Sequence, residues 1–289
     1  MPGESMPRTY NDLCLSLSRR LRDAGVEAHS QEARWIVAAA AGKGQAELLR
    51  DLRLYTSDEV AARAEALAVR RLAGEPAAYV LGRWEFYGLE FVVNPEVLIP
   101  RPDTEVLVTE AAARMEGRGD IRFLDMCTGS GCVGCALAKL LPDSRGILLD
   151  ISPGALAVAR ENVRRMALSG RLECVRADAF RLPGAGLGSF DLIAANPPYI
   201  RTGELAGLDS SVRDYEPRTA LDGGVDGLDF YRAILSDLPP LLRPGGWIVL
   251  EVGEDQAEEV ALLLRRAGLR GIGAAPDSRG YARVVYAKN

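Results

Sequence analysis

Ile121-Arg122-Phe123-Leu124-Asp125-Met126-Cys127-Thr128-Gly129-Ser130-Gly131-Cys132-Val133-Gly134 runs from an apolar segment through a glycine-rich turn into a second apolar segment. A short apolar run closed by glycines reads as a buried strand, and the longer run after it as a helix. The same alternation continues outward. Strands are predicted at Ile121 to Met126, Gly146 to Asp150, Leu172 to Ala177, Phe190 to Ala195 and Trp247 to Val252, with helices over Gly131 to Leu141, Pro153 to Leu168 and Glu254 to Ala267. Alternating strands and helices predict an α/β fold, a doubly wound and mostly parallel sheet covered on both faces. Ala282 to Ala287 predicts a last strand, antiparallel at an edge.

The chain before this region reads differently. Tyr10, Leu13, Cys14, Leu17 and Leu21 fall at helical spacing, as do Ala33, Ile36, Val37 and Ala40 after a Ser30 N-cap. Thr56-Ser57-Asp58-Glu59 has a capping-box pattern and opens a helix that runs to Leu72, where Gly74-Glu75-Pro76 stops it. A small helical bundle domain is therefore expected over residues 1–80, either a docking module or structural support. Trp84 to Val93 reads as two short strands around a glycine turn, which places a β-hairpin linker at 81–98 before the α/β domain at 99–289.

Composition bounds the function. With 35 Lys and Arg against 40 Asp and Glu, the net charge of -5 argues against general attraction to nucleic-acid phosphates. No apolar stretch reaches the length that spans a bilayer, and a cytoplasmic protein is expected. Cys127, Cys132 and Cys135 echo part of an iron–sulfur spacing, but that pattern needs a fourth thiolate, so buried thiols and no metal are expected. His29 is the sole histidine and lies outside the sheet, so it is given no catalytic role.

In a doubly wound sheet, ligands bind beyond the carboxyl ends of the strands, at turns such as Asp125 to Gly131. Gly129-Ser130-Gly131-Cys132-Val133-Gly134 matches the GxGxxG fingerprint of dinucleotide sites, and Asp150 ends the next strand, where it suits a ribose diol. A nicotinamide dehydrogenase therefore stays in view. Against it, Asp125 at the turn would repel a pyrophosphate yet tolerate the ammonium and sulfonium of S-adenosylmethionine, and no hydride-transfer constellation is evident. For that second cofactor, Gly129 and Gly131 admit the methionine part, Asp150 takes the ribose, and Asp178-Ala179-Phe180 brackets the adenine.

Asn196-Pro197-Pro198-Tyr199 follows the strand Phe190 to Ala195. The prolines fix φ and offer no N–H, so the outward main-chain atoms are mostly acceptors, to which Asn196 adds a side-chain oxygen and Tyr199 a flat face. Two acceptors beside an aromatic plane suit an NH2 group on a conjugated system, whether a base amine or a carboxamide. A plain proline-rich turn is the alternative.

Asp125 to Gly131 taken together with Asn196-Pro197-Pro198-Tyr199 resembles the class I methyltransferases that modify amino groups. More narrowly, Gly74-Glu75-Pro76, Glu85-Phe86-Tyr87-Gly88-Leu89 and Leu98-Ile99-Pro100-Arg101-Pro102-Asp103-Thr104-Glu105 resemble the peptide chain release factor glutamine methyltransferases, the PrmC or HemK family, over nearly the whole chain. The resemblance implies a class I, Rossmann-like methyltransferase domain and an N-terminal helical domain that contacts the release factor. It also implies methyl transfer from S-adenosylmethionine to the glutamine of a Gly-Gly-Gln tip. The cofactor residues it implies are Asp125, Cys127, Thr128, Gly129, Ser130, Gly131, Asp150, Asp178, Ala179 and Asn196. For the substrate they are Asn196, Pro197, Pro198 and Tyr199, with Asn196, Pro197 and Tyr199 catalytic and Tyr199 against the amide plane. The family's turn usually has Gly where this chain has Cys127. A nucleic-acid adenine or cytosine amino methyltransferase is the rival reading, although no long cationic run is present to hold a flanking strand. The connection from Ile200 to about Gly227 is too long for an ordinary αβ link and is expected to cover the substrate.

Overall fold

The computed structural model describes residues 8–182, 186–237 and 241–289, and the chain divides into two compact units after Gly82. The first unit is helical: α1 (Tyr10–Asp23), α2 (His29–Ala41), α3 (Gln45–Asp51), α4 (Asp58–Leu72) and α5 (Ala77–Leu81). Leu21, Ile36, Val37, Leu48 and Ala68 form its dry centre, and the alanines of α2 let its neighbours approach closely. Two caps differ from expectation. Helix α2 begins at His29, and Ser30 instead turns its hydroxyl to Ser18 at 3.1 Å. Helix α4 is capped by Ser57, which accepts from the Val60 N–H, so its start lies one residue beyond the expected box at Thr56.

The second unit opens with a hairpin, β1 (Arg83–Phe86) and β2 (Leu89–Val92). Its turn residues Tyr87 and Gly88 have φ of 52° and 69°, the left-handed pair that a tight hairpin needs. Helix α6 (Thr104–Ala113) leads into β3 (Arg122–Met126), α7 (Cys132–Leu140), β4 (Arg145–Asp150), α8 (Pro153–Arg165), β5 (Leu172–Arg176) and β6 (Phe190–Ala195). After a long connection containing the short α9 (Ser210–Arg213) come α10 (Asp229–Asp237), β7 (Leu242–Glu251), α11 (Ala257–Arg266), β8 (Arg270–Pro276) and β9 (Ala282–Lys288). The seven-stranded sheet runs β5-β4-β3-β6-β7-β9-β8, parallel from β5 to β7 and antiparallel at β9 and β8.

Strands β3 and β6 are almost wholly buried, as a parallel sheet covered on both faces requires. Helix α7 is buried nearly all round, which accounts for its small residues Gly134, Cys135, Ala136 and Ala138. The final strand β9 is not the edge: it pairs β7 on one side and β8 on the other. The pattern hid β8 because Arg270-Gly271-Ile272-Gly273-Ala274-Ala275-Pro276 has one β-branched residue and two glycines. Its Gly273 lies under the Tyr286 ring, where an added Cβ would come within 2.4 Å of the hydroxyl.

Candidate active site

Strand order reverses at the parallel pair β3 and β6, with β4 and β5 on one side of β3 and with β6 and β7 on the other, and the site forms there, at the carboxyl ends of these strands. The turn from β3 to α7 is made by left-handed residues, Cys127 at φ 57°, Gly129 at 54° and Gly131 at 80°. For a side chain larger than hydrogen this conformation costs about 1–2 kcal/mol, so position 127 is one that glycine suits best. A Cβ at Gly131 would sit 3.1 Å from Leu148 Cδ2 and 3.3 Å from Ala159 Cβ, whereas one at Gly129 would enter open space. Gly131 seats the turn on the sheet; Gly129 leaves room above it.

Two carboxylates hold this turn from below. Asp150 accepts from the Gly129 N–H and the Ser152 N–H, each at 2.9 Å. Asp125 accepts from the Gly134 N–H at 2.9 Å and from the Thr128 hydroxyl. The expectation of an open negative charge at the mouth of the turn is therefore corrected. Asp125 is 1% exposed, and burial pushes its carboxyl up to about 7. Behind the turn, Asn162 on α8 bonds both Val92 backbone groups and the Ser130 carbonyl, joining the hairpin to the site.

Above the turn lies a cavity of about 440 Å³, a size suited to a cofactor. Asp125, Cys127, Thr128, Gly129, Ser130, Asp150, Asp178, Ala179, Asn196 and Pro198 line it. Gly131, Pro197 and Tyr199 are not among its lining residues. Asp178 accepts from the Phe180 N–H at 2.9 Å and so sets the Phe180 ring, which meets Phe230 edge-on at 4.8 Å. The remaining wall comes from segments outside the sheet, Glu96 to Arg101 and Pro217 to Asp222. Glu216 joins these two: it is buried, accepts from the Ile99 N–H at 3.1 Å and pairs with the Arg101 guanidinium.

Asn196 leaves β6 with its amide Nδ2 donating to Thr104 Oγ1 at 3.2 Å. The two prolines that follow hold the loop extended, and Gly223 packs so closely against it that a Cβ there would lie 2.7 Å from Tyr199 Cα. Tyr199 departs from expectation. Its ring is partly buried against the core cluster, its hydroxyl donates to Glu251 Oε1 at 3.4 Å, and its carbonyl accepts from Gln256 Nε2 at 2.9 Å. It braces the loop from within, because its hydroxyl finds a partner in the protein interior. Sequence reasoning missed Thr104, Asn162, Glu216, Glu251 and Gln256. Of the loop's supports, only the adjacent glycines Gly223 and Gly224 carry a mark in the sequence that could have pointed to close backbone packing.

Burial pushes the Cys132 thiol up to about 12 and raises those of Cys127 and Cys135 as well, so all three stay protonated. No group of His, Cys, Asp and Glu suited to a metal ion occurs among the described residues.

Glu251 is 1% exposed, and its carboxyl too is pushed up to about 7 by burial. Unfolding would return Asp125 and Glu251 to values of 3.8 and 4.5. Between roughly pH 4 and 7 the folded protein therefore holds more protons than the unfolded chain, and stability from these groups falls as pH rises through 7. Melting of the ligand-free protein followed from pH 8 down to pH 5.5 is expected to show Tm rising, by free energy on the order of a few kcal/mol. Asp125→Asn should flatten that rise; a Tm that falls over the same interval would contradict the assignment.

A parallel sheet with this strand order, closed at one edge by an antiparallel pair and carrying a cofactor-sized cavity at its switch point, defines the class I methyltransferase fold. A methyltransferase domain family matches residues 123–208, and the PrmC N-terminal domain family matches residues 12–82. A solved methyltransferase from Pyrococcus furiosus superposes with a TM-score of 0.53 at 17% identity, over 76% of this chain and 96% of that one, a likeness of fold alone. A release factor glutamine methyltransferase of Geobacter sulfurreducens is 43% identical over 265 residues, 92% of this chain and 91% of that one. Its counterpart in Moorella thermoacetica is 43% identical over 270 residues, 93% and 94% of the two chains. The chain belongs to the release factor glutamine methyltransferase family.

Proposed function

We propose that this enzyme transfers a methyl group from S-adenosylmethionine to the side-chain amide nitrogen of the glutamine in the Gly-Gly-Gln motif of peptide chain release factors, in the cytoplasm. The observation that carries the reading is the placement of Asn196 on the wall of the cavity above the glycine turn, with its NH2 end held by Thr104.

The residues fit the cofactor. Ser130 Oγ is buried with no hydrogen-bond partner among the described residues, apart from the weak Cys132 thiol beside it. Ile151 and Phe180 present apolar surface at the rim, where a purine packs favourably. Asp150 on the cavity wall suits a cationic ligand better than a pyrophosphate. Cys127 to Gly131 would hold the methionine part, Asp150 the ribose hydroxyls, and Asp178, Ala179 and Phe180 the adenine. When bound, S-adenosylmethionine supplies an electrophilic methyl group on a sulfonium.

A carboxamide nitrogen is a poor nucleophile because its lone pair is delocalised into the carbonyl. Asn196 Oδ1 accepts one of its N–H groups, orienting the nitrogen and stabilising the positive charge that grows on it during attack, and Pro197 fixes the loop that presents it. Pro198 forms the wall along the glutamine side chain, and Tyr199 anchors the loop. The proton leaves after transfer, so no general base is required. Pro217 to Asp222 cover the substrate from the far side, and the helical unit at residues 8–82 docks the release factor.

Incubation of the purified protein with methyl-labelled S-adenosylmethionine and either release factors or DNA and RNA tests the reading. Label is expected on the release factor. Label on nucleic acid instead, or on neither, would overturn it.

A further inference from the structure

We propose that Gln256 is a positioning residue for methyl transfer: its side-chain amide pins Tyr199 and Gly227, the two ends of the long connection after Asn196-Pro197-Pro198, and so fixes where Asn196 stands at the cavity. The proposal rests on the role given to Asn196 above.

Pro197 and Pro198 have no N–H, so the loop cannot be tied down by main-chain donors there and depends on donors brought to its carbonyls from elsewhere. Gln256, 2% exposed and immediately before α11, brings them. Its Nε2 donates to the Tyr199 carbonyl at 2.9 Å and to the Gly227 carbonyl at 3.3 Å, while its Oε1 accepts from the Gly253 N–H at 3.0 Å. A main-chain carbonyl only accepts and a main-chain N–H only donates, so these partners leave the amide a single orientation and use both of its N–H groups. The packing is correspondingly close. A Cβ on Gly227, whose φ is 76°, would lie 2.4 Å from both Gln256 Nε2 and the Tyr199 carbonyl oxygen, and one on Gly253 would lie 2.8 Å from Oε1.

Tyr199 and Gly227 bracket the connection between β6 and α10. Within it, Ile200 donates its N–H to the Leu221 carbonyl at 3.0 Å and accepts from the Gly223 N–H at 2.8 Å, which lays the start of the connection beside the Pro217 to Asp222 wall of the cavity. Gln256 closes this loop on itself. The Tyr199 hydroxyl reaches Glu251 only at 3.4 Å, long for an O–H donor, so the shorter bond to the Tyr199 carbonyl is the firmer hold. Between that hold and Asn196 stand two prolines with locked φ, and a shift at Tyr199 therefore passes on to Asn196 instead of being absorbed. Misplacing a reacting contact by about 1 Å costs up to about 10²-fold in rate.

Gln256→Met keeps the length of the side chain and removes all three bonds, and Gly227→Ala displaces the same amide from the opposite side. In the full-length enzyme each is expected to lower the single-turnover rate, at saturating donor and release factor, at least about tenfold, with donor affinity and release-factor KM within about threefold. The side-chain amide resonances of Asn196, assigned by comparison with an Asn196 variant, should move in both. In the wild type, the Gln256 side-chain NH2 protons should exchange slowly with solvent. Wild-type turnover in Gln256→Met, a matching loss of donor affinity, unmoved Asn196 resonances or fast-exchanging Gln256 protons would overturn the proposal. Where Gln256→Met does not fold, Gly227→Ala and the wild-type exchange measurement decide. Failure of the wild type to methylate release factor would instead remove the substrate reading, and the exchange and resonance measurements would still decide whether Gln256 holds Asn196 in place.

Discussion

Asn196→Ala is expected to lower kcat by about 10²- to 10³-fold and to leave cofactor affinity within a few-fold of wild type. The separation follows from where the bonds lie. The cofactor is held mainly by the β3 to α7 turn and by Asp150, whose bonds to Gly129 and Ser152 do not involve Asn196. What alanine removes is an acceptor aimed at the substrate nitrogen, whose worth grows as charge develops there. Single-turnover methylation at saturating donor, read beside calorimetric binding of the donor, checks both halves. Intact turnover would remove Asn196 from the mechanism, and an equal loss of affinity would reassign it to cofactor binding.

Arg101→Ala is expected to destabilise the second unit by on the order of 3 kcal/mol, because it leaves the Glu216 carboxylate without its charge partner. The Glu216 side chain is 1% exposed, whereas Arg101 is 34% exposed, so the larger cost falls on the residue that stays behind. For a unit of this size that free energy corresponds to a Tm drop of about 10 °C. The same pair joins the Ile99 segment to Glu216, next to the Pro217 to Asp222 wall of the cavity, so the variant should also bind donor more weakly. Differential scanning calorimetry checks the first effect; a Tm within about 2 °C of wild type would mean that Glu216 finds water or another donor.

The parts of this molecule that could be read from its residues are those whose cause is local. A continuous apolar run ending in glycines fixed the reading of β3, its turn and α7, since burial on both faces and left-handed φ each leave a mark at the position concerned. The place of Asn196, between a buried strand and two prolines, was legible for the same reason. Strand β8 was not, because its pairing with β9 supplies through the backbone what its glycines and alanines lack in propensity. The supports of the site were hidden by distance. Thr104 meets Asn196 across 92 positions, Ile99 meets Glu216 across 117, and Tyr199 meets Glu251 across 52. A lone Thr or Glu on an apolar element gives no sign of such a partner. Tyr199 was placed on the substrate side because a flat ring after two prolines suits an amide plane; the buried Glu251 that turns its hydroxyl inward lies on another strand.

Tandem mass spectrometry of a release factor treated with the enzyme and S-adenosylmethionine locates the modified atom directly. One added methyl group on the side chain of the Gly-Gly-Gln glutamine is the result predicted by a cavity that presents Asn196 Oδ1 to a carboxamide. A methyl group on any other residue, or an unmodified glutamine after full donor turnover, would contradict it.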